Sequence, residues 1–371
     1  MKYYIISGEA SGDLHGSNLV KEIKKLDREA SVRAWGGDMM KAAGAEVVKH
    51  YRELAFMGFA EVIANLPAIL NNIRFCKKDI TAFNPDVLVL IDYPGFNIRI
   101  AKWAKENGYK VIYYISPQVW AWKEGRVKVI RKVVDRMLVI LPFEKEFYEK
   151  WSYKVSYVGH PLVQVISEFQ EHHHEIKDEA HPVIALLPGS RKQEVSKKLP
   201  VMLEASKSFK EYRFAIAKAP SLDDDYYSAF TRDYPNVESV RNHTYHLLSR
   251  ATAALVTSGT ATLETALFGV PEVVCYKGSS ISYQIAKRLI RIKYISLVNL
   301  IMDKQVVTEL IQDEMNVENI VRELNILLYD TARKEQIQND YRALKKLLQE
   351  EKNASARAAQ EIIGFLTSEA K

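Results

Sequence analysis

The sequence predicts an α/β protein made of two consecutive, doubly wound Rossmann-like domains. Three observations carry that expectation. Strand and helix signals alternate along most of the chain, the strands are near-continuous apolar runs (Val87-Leu88-Val89-Leu90-Ile91 above all), and the alternation breaks once at a polar stretch before restarting. Alternating βα signals call for a parallel sheet covered on both faces, and a strand buried on both faces has no polar side to show. At 371 residues the chain also exceeds what one core usually organises.

In the first half, strand Tyr3–Ser7 leads to helix Leu14–Leu26, strand Val32–Trp35, a helix near Asp38–Ala43 and the apolar segment Leu54–Ile73. Strand Val87–Ile91, helix Ile98–Asn107, strand Lys110–Ile115, helix Arg126–Val134, strand Arg136–Ile140 and helix Glu144–Trp151 follow. The acidic, histidine-rich stretch Glu168–His181, closed by Pro182, reads as the linker. The rhythm restarts with strand Val183–Leu187, helix Pro200–Phe209, strand Arg213–Lys218, helix Asp224–Phe230 and strand Val237–Val240. It continues through helix Tyr245–Ser249, strand Ala254–Thr257, helix Ala261–Phe268 and strand Glu272–Tyr276. The remaining Ser282–Leu366 reads as mostly helical and charged, its last helix packing back on the first domain. The expected domains are therefore 1–165, joined by a C-terminal helix within 345–371, and 166–344.

An apolar fraction of 47% predicts packed cores rather than disorder. The net charge of +6 is spread among nearly as many acids, which suits an anionic substrate or a membrane surface and argues against a nucleic-acid partner. Cys76 and Cys275 lack metal or redox spacing and read as reduced core residues of a cytoplasmic protein. The start, Met1-Lys2-Tyr3-Tyr4-Ile5-Ile6-Ser7-Gly8, is a strand and not a signal peptide, and no run of about twenty apolar residues predicts a transmembrane helix. Any membrane contact would be peripheral. His172-His173-His174 reads as solvated linker, not a metal site, because adjacent side chains converge poorly on one ion.

Chemistry is expected where strands end, since open α/β sheets bind ligands at their carboxyl edge. The first joint, Ser7-Gly8-Glu9-Ala10-Ser11-Gly12-Asp13-Leu14-His15, lacks the GxGxxG spacing of a dinucleotide fold. Its glycines permit close backbone approach, and Glu9, Ser11, Asp13 and His15 could bind a polyhydroxylated ligand; the lesser alternative is that Asp13 caps the next helix. Asp92, after the most buried strand, stands at the same edge with Asn97 and has the same alternative as a cap. The loop Ser116-Pro117-Gln118-Val119-Trp120-Ala121-Trp122 could offer aromatic faces to a sugar or acyl chain, or wedge against its own domain.

In the second half, Val183–Leu187 runs into Pro188-Gly189-Ser190-Arg191, and Ala254–Thr257 into Ser258-Gly259-Thr260-Ala261-Thr262-Leu263-Glu264. Each small-residue turn between a strand and a helix directs backbone N–H groups and a helix N-terminus toward an anion. Arg191 adds a forked cation and Glu264 an acceptor for ribose hydroxyls, so the pair reads as half of a nucleotide-sugar site.

Together these words resemble the lipid-A-disaccharide synthase family. The resemblance rests on Gly8–Asp13, Gly36-Gly37 with Met40 and Ala43-Gly44, Met57-Gly58-Phe59 with Glu61-Val62, Ser116–Trp122, Pro142-Phe143-Glu144, Val158-Gly159-His160-Pro161, Leu187–Arg191 and Ser258–Glu264. It implies a GT-B fold, two Rossmann-like domains facing across a cleft, with the acceptor and lipid on the first and the UDP-sugar on the second. The implied reaction inverts the anomeric carbon: 2,3-diacylglucosamine passes from UDP-2,3-diacylglucosamine to 2,3-diacylglucosamine 1-phosphate, giving the β-1,6-linked disaccharide 1-phosphate and UDP, with no metal or cofactor. The resemblance also puts Asn299 and Gln312 near the nucleotide, with Val298 and Thr308 where the family commonly has proline.

The family often has aspartate where this chain has Gly95, which leaves Asp92, Asp13 or Glu9 as the catalytic carboxylate. Single-step inversion needs only one general base. The donor set is then Gly189, Ser190, Arg191, Ser258, Gly259, Thr260, Glu264, Asn299 and Gln312; the acceptor set is Ser11, Gly12, His15, Asn97, Ser116 and Gln118. Phe56, Met57, Phe59, Val62, Ile63, Leu66, Ile69, Leu70 and Ile73, beside Arg52, Arg74, Lys77 and Lys78, form the expected contact with the cytoplasmic face of the inner membrane, with core packing as the alternative. A homodimer is left open. The rivals are a UDP-sugar 2-epimerase on the same fold and a non-enzymatic nucleotide-sugar or lipid-binding protein.

Overall fold

The computed structural model describes residues 1–54, 66–122, 124–173, 181–220, 222–279, 283, 292–349 and 353–368, with only the backbone of Leu66 and Trp122. Two compact units result, Met1–Pro161 with Glu350–Lys371, and Leu162–Gln349.

Unit 1 contains β1 (Lys2–Ile6), α1 (Ala10–Leu26), β2 (Ser31–Gly36), α2 (Asp38–Ala42), β3 (Glu46–His50), α3 (Leu66–Phe83) and β4 (Val87–Ile91). It continues with α4 (Pro94–Glu106), β5 (Val111–Tyr114), α5 (Val119–Trp122), α6 (Val127–Val133), β6 (Arg136–Val139), α7 (Pro142–Glu149) and β7 (Ser156–Tyr157). Its seven-stranded parallel sheet has the order β3-β2-β1-β4-β5-β6-β7. Every residue of β4 and β5 is buried, as expected for central strands covered on both faces. The chain winds outward from β1 to β3, then returns to lay β4 on the other side of β1. The loops leaving β1 and β4 therefore diverge, and a topological switch opens between them.

Unit 2 repeats the plan. α8 (Pro161–His172) leads to β8 (Val183–Leu187), α9 (Lys192–Ser206), β9 (Arg213–Lys218), α10 (Asp224–Thr231), β10 (Val237–Arg241), α11 (Thr244–Arg250), β11 (Ala251–Thr257), α12 (Thr260–Leu267) and β12 (Glu272–Tyr276). α13 (Leu297–Met302), β13 (Thr308–Ile311), α14 (Val317–Tyr329) and α15 (Thr331–Gln349) complete it. The six-stranded parallel sheet is ordered β10-β9-β8-β11-β12-β13, so its switch point lies between β8 and β11. The last helix, α16 (Ala354–Ser368), belongs to unit 1 and packs on α1, where buried Ala354, Ser355, Ala358 and Ala359 allow close approach.

Several elements differ from their sequence reading. α1 starts at Ala10, so Ser11, Gly12 and Asp13 are its first turn; Glu9 is extended and its carbonyl accepts the Asp13 N–H at 3.0 Å. α9 starts at Lys192 and carries Pro200 inside it, because the buried stripe Val195, Leu199, Met202 and Leu203 holds the helix together across the missing donor. β13 is an edge strand within the segment read as helical. The stretch read as linker begins inside α8, and 174–180 lie outside the described residues, as do 55–65 with Phe56, Met57, Phe59, Val62 and Ile63. No described helix is long and apolar enough to cross a membrane.

Candidate functional sites at the two strand switch points

In unit 1 the β1–α1 turn and the turn after β4 press together. A Cβ on Gly8 would collide with the Tyr93 ring, so only glycine lets the two backbones approach this closely. The β4 turn is strained: Asp92 and Tyr93 have φ of 43° and 48°, and the β-branched Ile115 beside them has φ of 66°. Such conformations cost on the order of 1–3 kcal/mol each and persist only where the surroundings over-determine them. Here the Asp92 N–H donates to the Ile115 carbonyl at 3.3 Å, and the Asn97 amide donates to the carbonyls of Ile91 at 3.2 Å and Asp92 at 2.8 Å. The Tyr113 hydroxyl donates to the Asp92 carbonyl as well. All of this pins the backbone of Asp92 while its side chain stays exposed at the sheet edge. Crowding by surrounding protein, and next the charge of Glu9, push the Asp92 carboxyl up to about 7 against the lowering effect of the Tyr93 backbone N–H. A carboxylate poised there can accept a proton near neutral pH.

The other expected acceptor residues fall into two groups. Ser11 and Gln118 are exposed, and Glu9 is half-buried beside Asp92. Asp13, Asn97 and Ser116 are turned inward. Asp13 accepts the N–H groups of Gly37 at 2.7 Å, Met39 at 3.1 Å and Met40 at 3.1 Å, so it caps α2, not its own helix. Taking a substrate proton would break three charge-assisted bonds, which removes Asp13 from the base candidates. Asn97 holds the Asp92 turn with its amide N–H groups, and among the described residues its side-chain oxygen has no hydrogen-bond partner. The Ser116 hydroxyl bonds the Tyr148 hydroxyl at 2.6 Å, and Trp120 donates to buried Glu144 at 3.2 Å, so this loop wedges against its own unit. Gly12 is buried at the start of α1 against Ser7.

His15 is buried, its Nδ1 has no hydrogen-bond partner, and burial lowers its pKa to about 4. Close by, His160 is buried too and falls to about 3, first from burial and then from His15. Both imidazoles are neutral at pH 7. The sequence reading assigned no role to His160, Tyr93 or Ile115; the Val158–Pro161 word was the only signal for the first, and strain at Ile115 leaves none.

In unit 2 the second switch point gathers different chemistry. Gly189 has φ of 118°, a region that side chains rarely adopt, and a Cβ there would strike the Glu194 carboxylate. That carboxylate accepts the Ser190 N–H at 3.0 Å and pairs with the Arg191 guanidinium at 3.3 Å. Glu194 was not among the expected site residues, although its place at the third position of α9 is a capping signal. Across the switch, Gly259 and Thr260 are exposed at the start of α12, and the Ser258 hydroxyl donates to the Ile295 carbonyl at 2.7 Å. Glu264, whose carboxyl is raised by burial, accepts the Tyr245 hydroxyl at 3.0 Å.

The late motif residues act through the loops they hold. Asn299 is buried and fully used: its amide N–H groups go to the Val307 carbonyl and Glu309 carboxylate, each at 2.9 Å, while its oxygen accepts from Val306 at 2.8 Å and Val307 at 3.0 Å. Its side chain therefore has no capacity left for a nucleotide. Gln312 accepts the Gly278 N–H at 2.8 Å, tying the end of β13 to the loop after β12.

Comparison with known proteins converges on one family. The family model described as lipid-A-disaccharide synthetase matches residues 3–363. The lipid-A-disaccharide synthase of Geobacter metallireducens is 44% identical over 340 residues, covering 89% of this chain and 88% of that protein. The Syntrophus aciditrophicus lipid-A-disaccharide synthase is 42% identical, covering 93% and 92%. Among solved structures, UDP-GlcNAc 2-epimerase from Neisseria meningitidis superposes with a TM-score of 0.68 at 13% identity, covering 99% of this chain and 100% of that one. The calicheamicin glycosyltransferase CalG4 superposes at 0.61 with 18% identity, covering 99% and 98%. These structural neighbours share the two-Rossmann GT-B fold; the sequence relatives decide between its activities, and they do not favour an epimerase. The chain belongs to the lipid-A-disaccharide synthase family and is a glycosyltransferase of lipid A biosynthesis.

Proposed function

We propose that unit 2 binds the UDP moiety of UDP-2,3-diacylglucosamine, that unit 1 binds 2,3-diacylglucosamine 1-phosphate, and that Asp92 is the general base. The observation that carries the reading is Asp92 itself: an exposed carboxylate on a strained, heavily braced turn, with its pKa near 7. It takes the proton from the attacking acceptor hydroxyl as that oxygen bonds the anomeric carbon and the carbon–oxygen bond to UDP breaks. Glu9 raises the basicity of Asp92, and neutral His15 is a hydrogen-bonding group for the acceptor. On the donor side, the Gly189-Ser190 backbone, Arg191 and the Ser258–Thr260 start of α12 offset the charge that grows on the departing diphosphate. Glu264 receives ribose hydroxyls, while Asn299 and Gln312 shape the surrounding loops.

Peripheral contact with the cytoplasmic face of the inner membrane is part of this reading. It is supported on α3 by exposed Leu70 and Phe75 among Arg74 and Lys78. Polar substitution of Phe59 and Ile63 should reduce liposome flotation, and undiminished binding would rule out that segment as the anchor. The homodimer left open by the sequence has no part in the scheme. Incubation with both lipid substrates should yield disaccharide and UDP; an epimerised donor or no turnover would overturn the assignment.

A further inference from the structure

The donor turn of unit 2 is already filled by an anion, and that anion belongs to the chain. The Glu194 carboxylate takes the Ser190 N–H and pairs with Arg191, two of the groups that a diphosphate would need. One helical turn further along the same face of α9 lies Lys198, which is only 1% exposed and makes no hydrogen bond among the described residues. Burial lowers the Lys198 pKa to about 8, so its charged form gains from a nearby anion.

We propose that Glu194 is a placeholder for the donor diphosphate, and that on donor binding it swings from the Ser190–Arg191 turn to Lys198.

Positions i and i+4 of a helix are neighbours, with the acid N-terminal to the base in the better orientation, so a change of rotamer suffices and no backbone need move. Against burial, which disfavours the charge most, Glu194 and then Cys275 act on Lys198 in the sense that favours it, while Arg191 and Lys197 oppose it. The Cys275 thiol is pushed up to about 12 by burial and is neutral at pH 7, which leaves Glu194 as the anion for Lys198. In the vacant state Glu194 keeps Arg191 and the turn arranged for phosphate. In the occupied state Lys198 absorbs a carboxylate that would otherwise repel the diphosphate. Both residues are thus positioning residues, and their effect on the donor is indirect.

The inference rests on the donor site proposed above, and a double-mutant cycle read by calorimetric titration with UDP separates the two. Wild type should bind UDP and Arg191→Ala should bind it much more weakly; if neither binds, the donor site itself is misassigned and the exchange falls with it. Lys198→Met should weaken UDP binding by about five-fold or more, the lower end of ordinary coupling between linked equilibria. Its melting temperature should not fall, since an apolar side chain of similar length replaces a buried charge. Glu194→Gln should bind no more weakly than wild type, and Glu194→Gln/Lys198→Met should return to the Glu194→Gln value. Unchanged binding in Lys198→Met, or a loss that persists in the double variant, would overturn the exchange: Lys198 would then be inert or would meet the phosphate itself.

Discussion

The two units carry the same winding plan but prepare opposite electrostatics at their switch points. In unit 1 the turn is formed by non-glycine residues forced to positive φ, and it holds a carboxylate whose proton affinity has risen. In unit 2 the turns use glycine where φ is positive, and they present N–H groups, a guanidinium and a helix start. The difference fits the roles proposed for the two units. A base is held against its own preference for water by strain and crowding, and a diphosphate is approached closely only by backbone without side chains.

The contrast can be broken first at Asp92. Replacing it with Asn should lower kcat/KM by about 10²–10⁴-fold, the usual contribution of a positioned general base. In wild type, kcat/KM should fall as pH drops through about 7, where Asp92 gains its proton, and the variant should lose that acid limb. The stability effect has the opposite sign. The folded pKa lies above the ordinary 3.8, so the folded chain binds the proton more tightly than the unfolded one and loses stability as pH rises from about 4 to about 7. Asp92→Asn should therefore melt higher than wild type at pH 8, helped by the tolerance of Asn for positive φ. A lower melting temperature with intact turnover would mean that Asp92 is a cap and nothing more.

Arg191→Ala should come next, at about 2–4 kcal/mol in the chemical step if the guanidinium strengthens its hold on the diphosphate in the transition state. Turnover within a factor of a few would reject that role. Asn299→Ala should act on stability instead: it strands buried partners, at about 1–3 kcal/mol for each group left unsatisfied, with melting temperature as the measurement. A large rise in donor KM without loss of stability would put its side chain back at the nucleotide. Tyr245→Phe should have the smallest effect, about 1 kcal/mol in donor binding through the lost hydrogen bond to Glu264.

The candidate turns could be located because strand ends can be found from apolar runs, and a glycine or small polar cluster after such a run marks the joint to the next helix. Gly189, Arg191, Ser258 and Asp92 were reached in that way. Asp13 was read as a ligand residue because a polar side chain at a strand end looks the same whether it faces a substrate or a neighbouring loop, and Asn299 because the family resemblance puts it near the nucleotide. Their partners, Gly37 to Met40 and Val306 to Glu309, become neighbours only through the fold. Trp120 shows the same ambiguity, settled by Glu144 from the next βα unit.

The sequence by itself determined the two-domain α/β plan and the parallel sheets, since these follow from local periodicity and from the punctuation between elements, whereas the switch points follow from the strand order. Tertiary structure alone decided which carboxylates remain available. Burial, crowding and backbone strain are set by residues distant in sequence, as when Asn97, Tyr113 and Ile115 converge on Asp92 and Glu9 shifts its pKa. The same holds for Glu194 in the donor turn and the buried Lys198 behind it, whose charges acquire meaning only from what surrounds them.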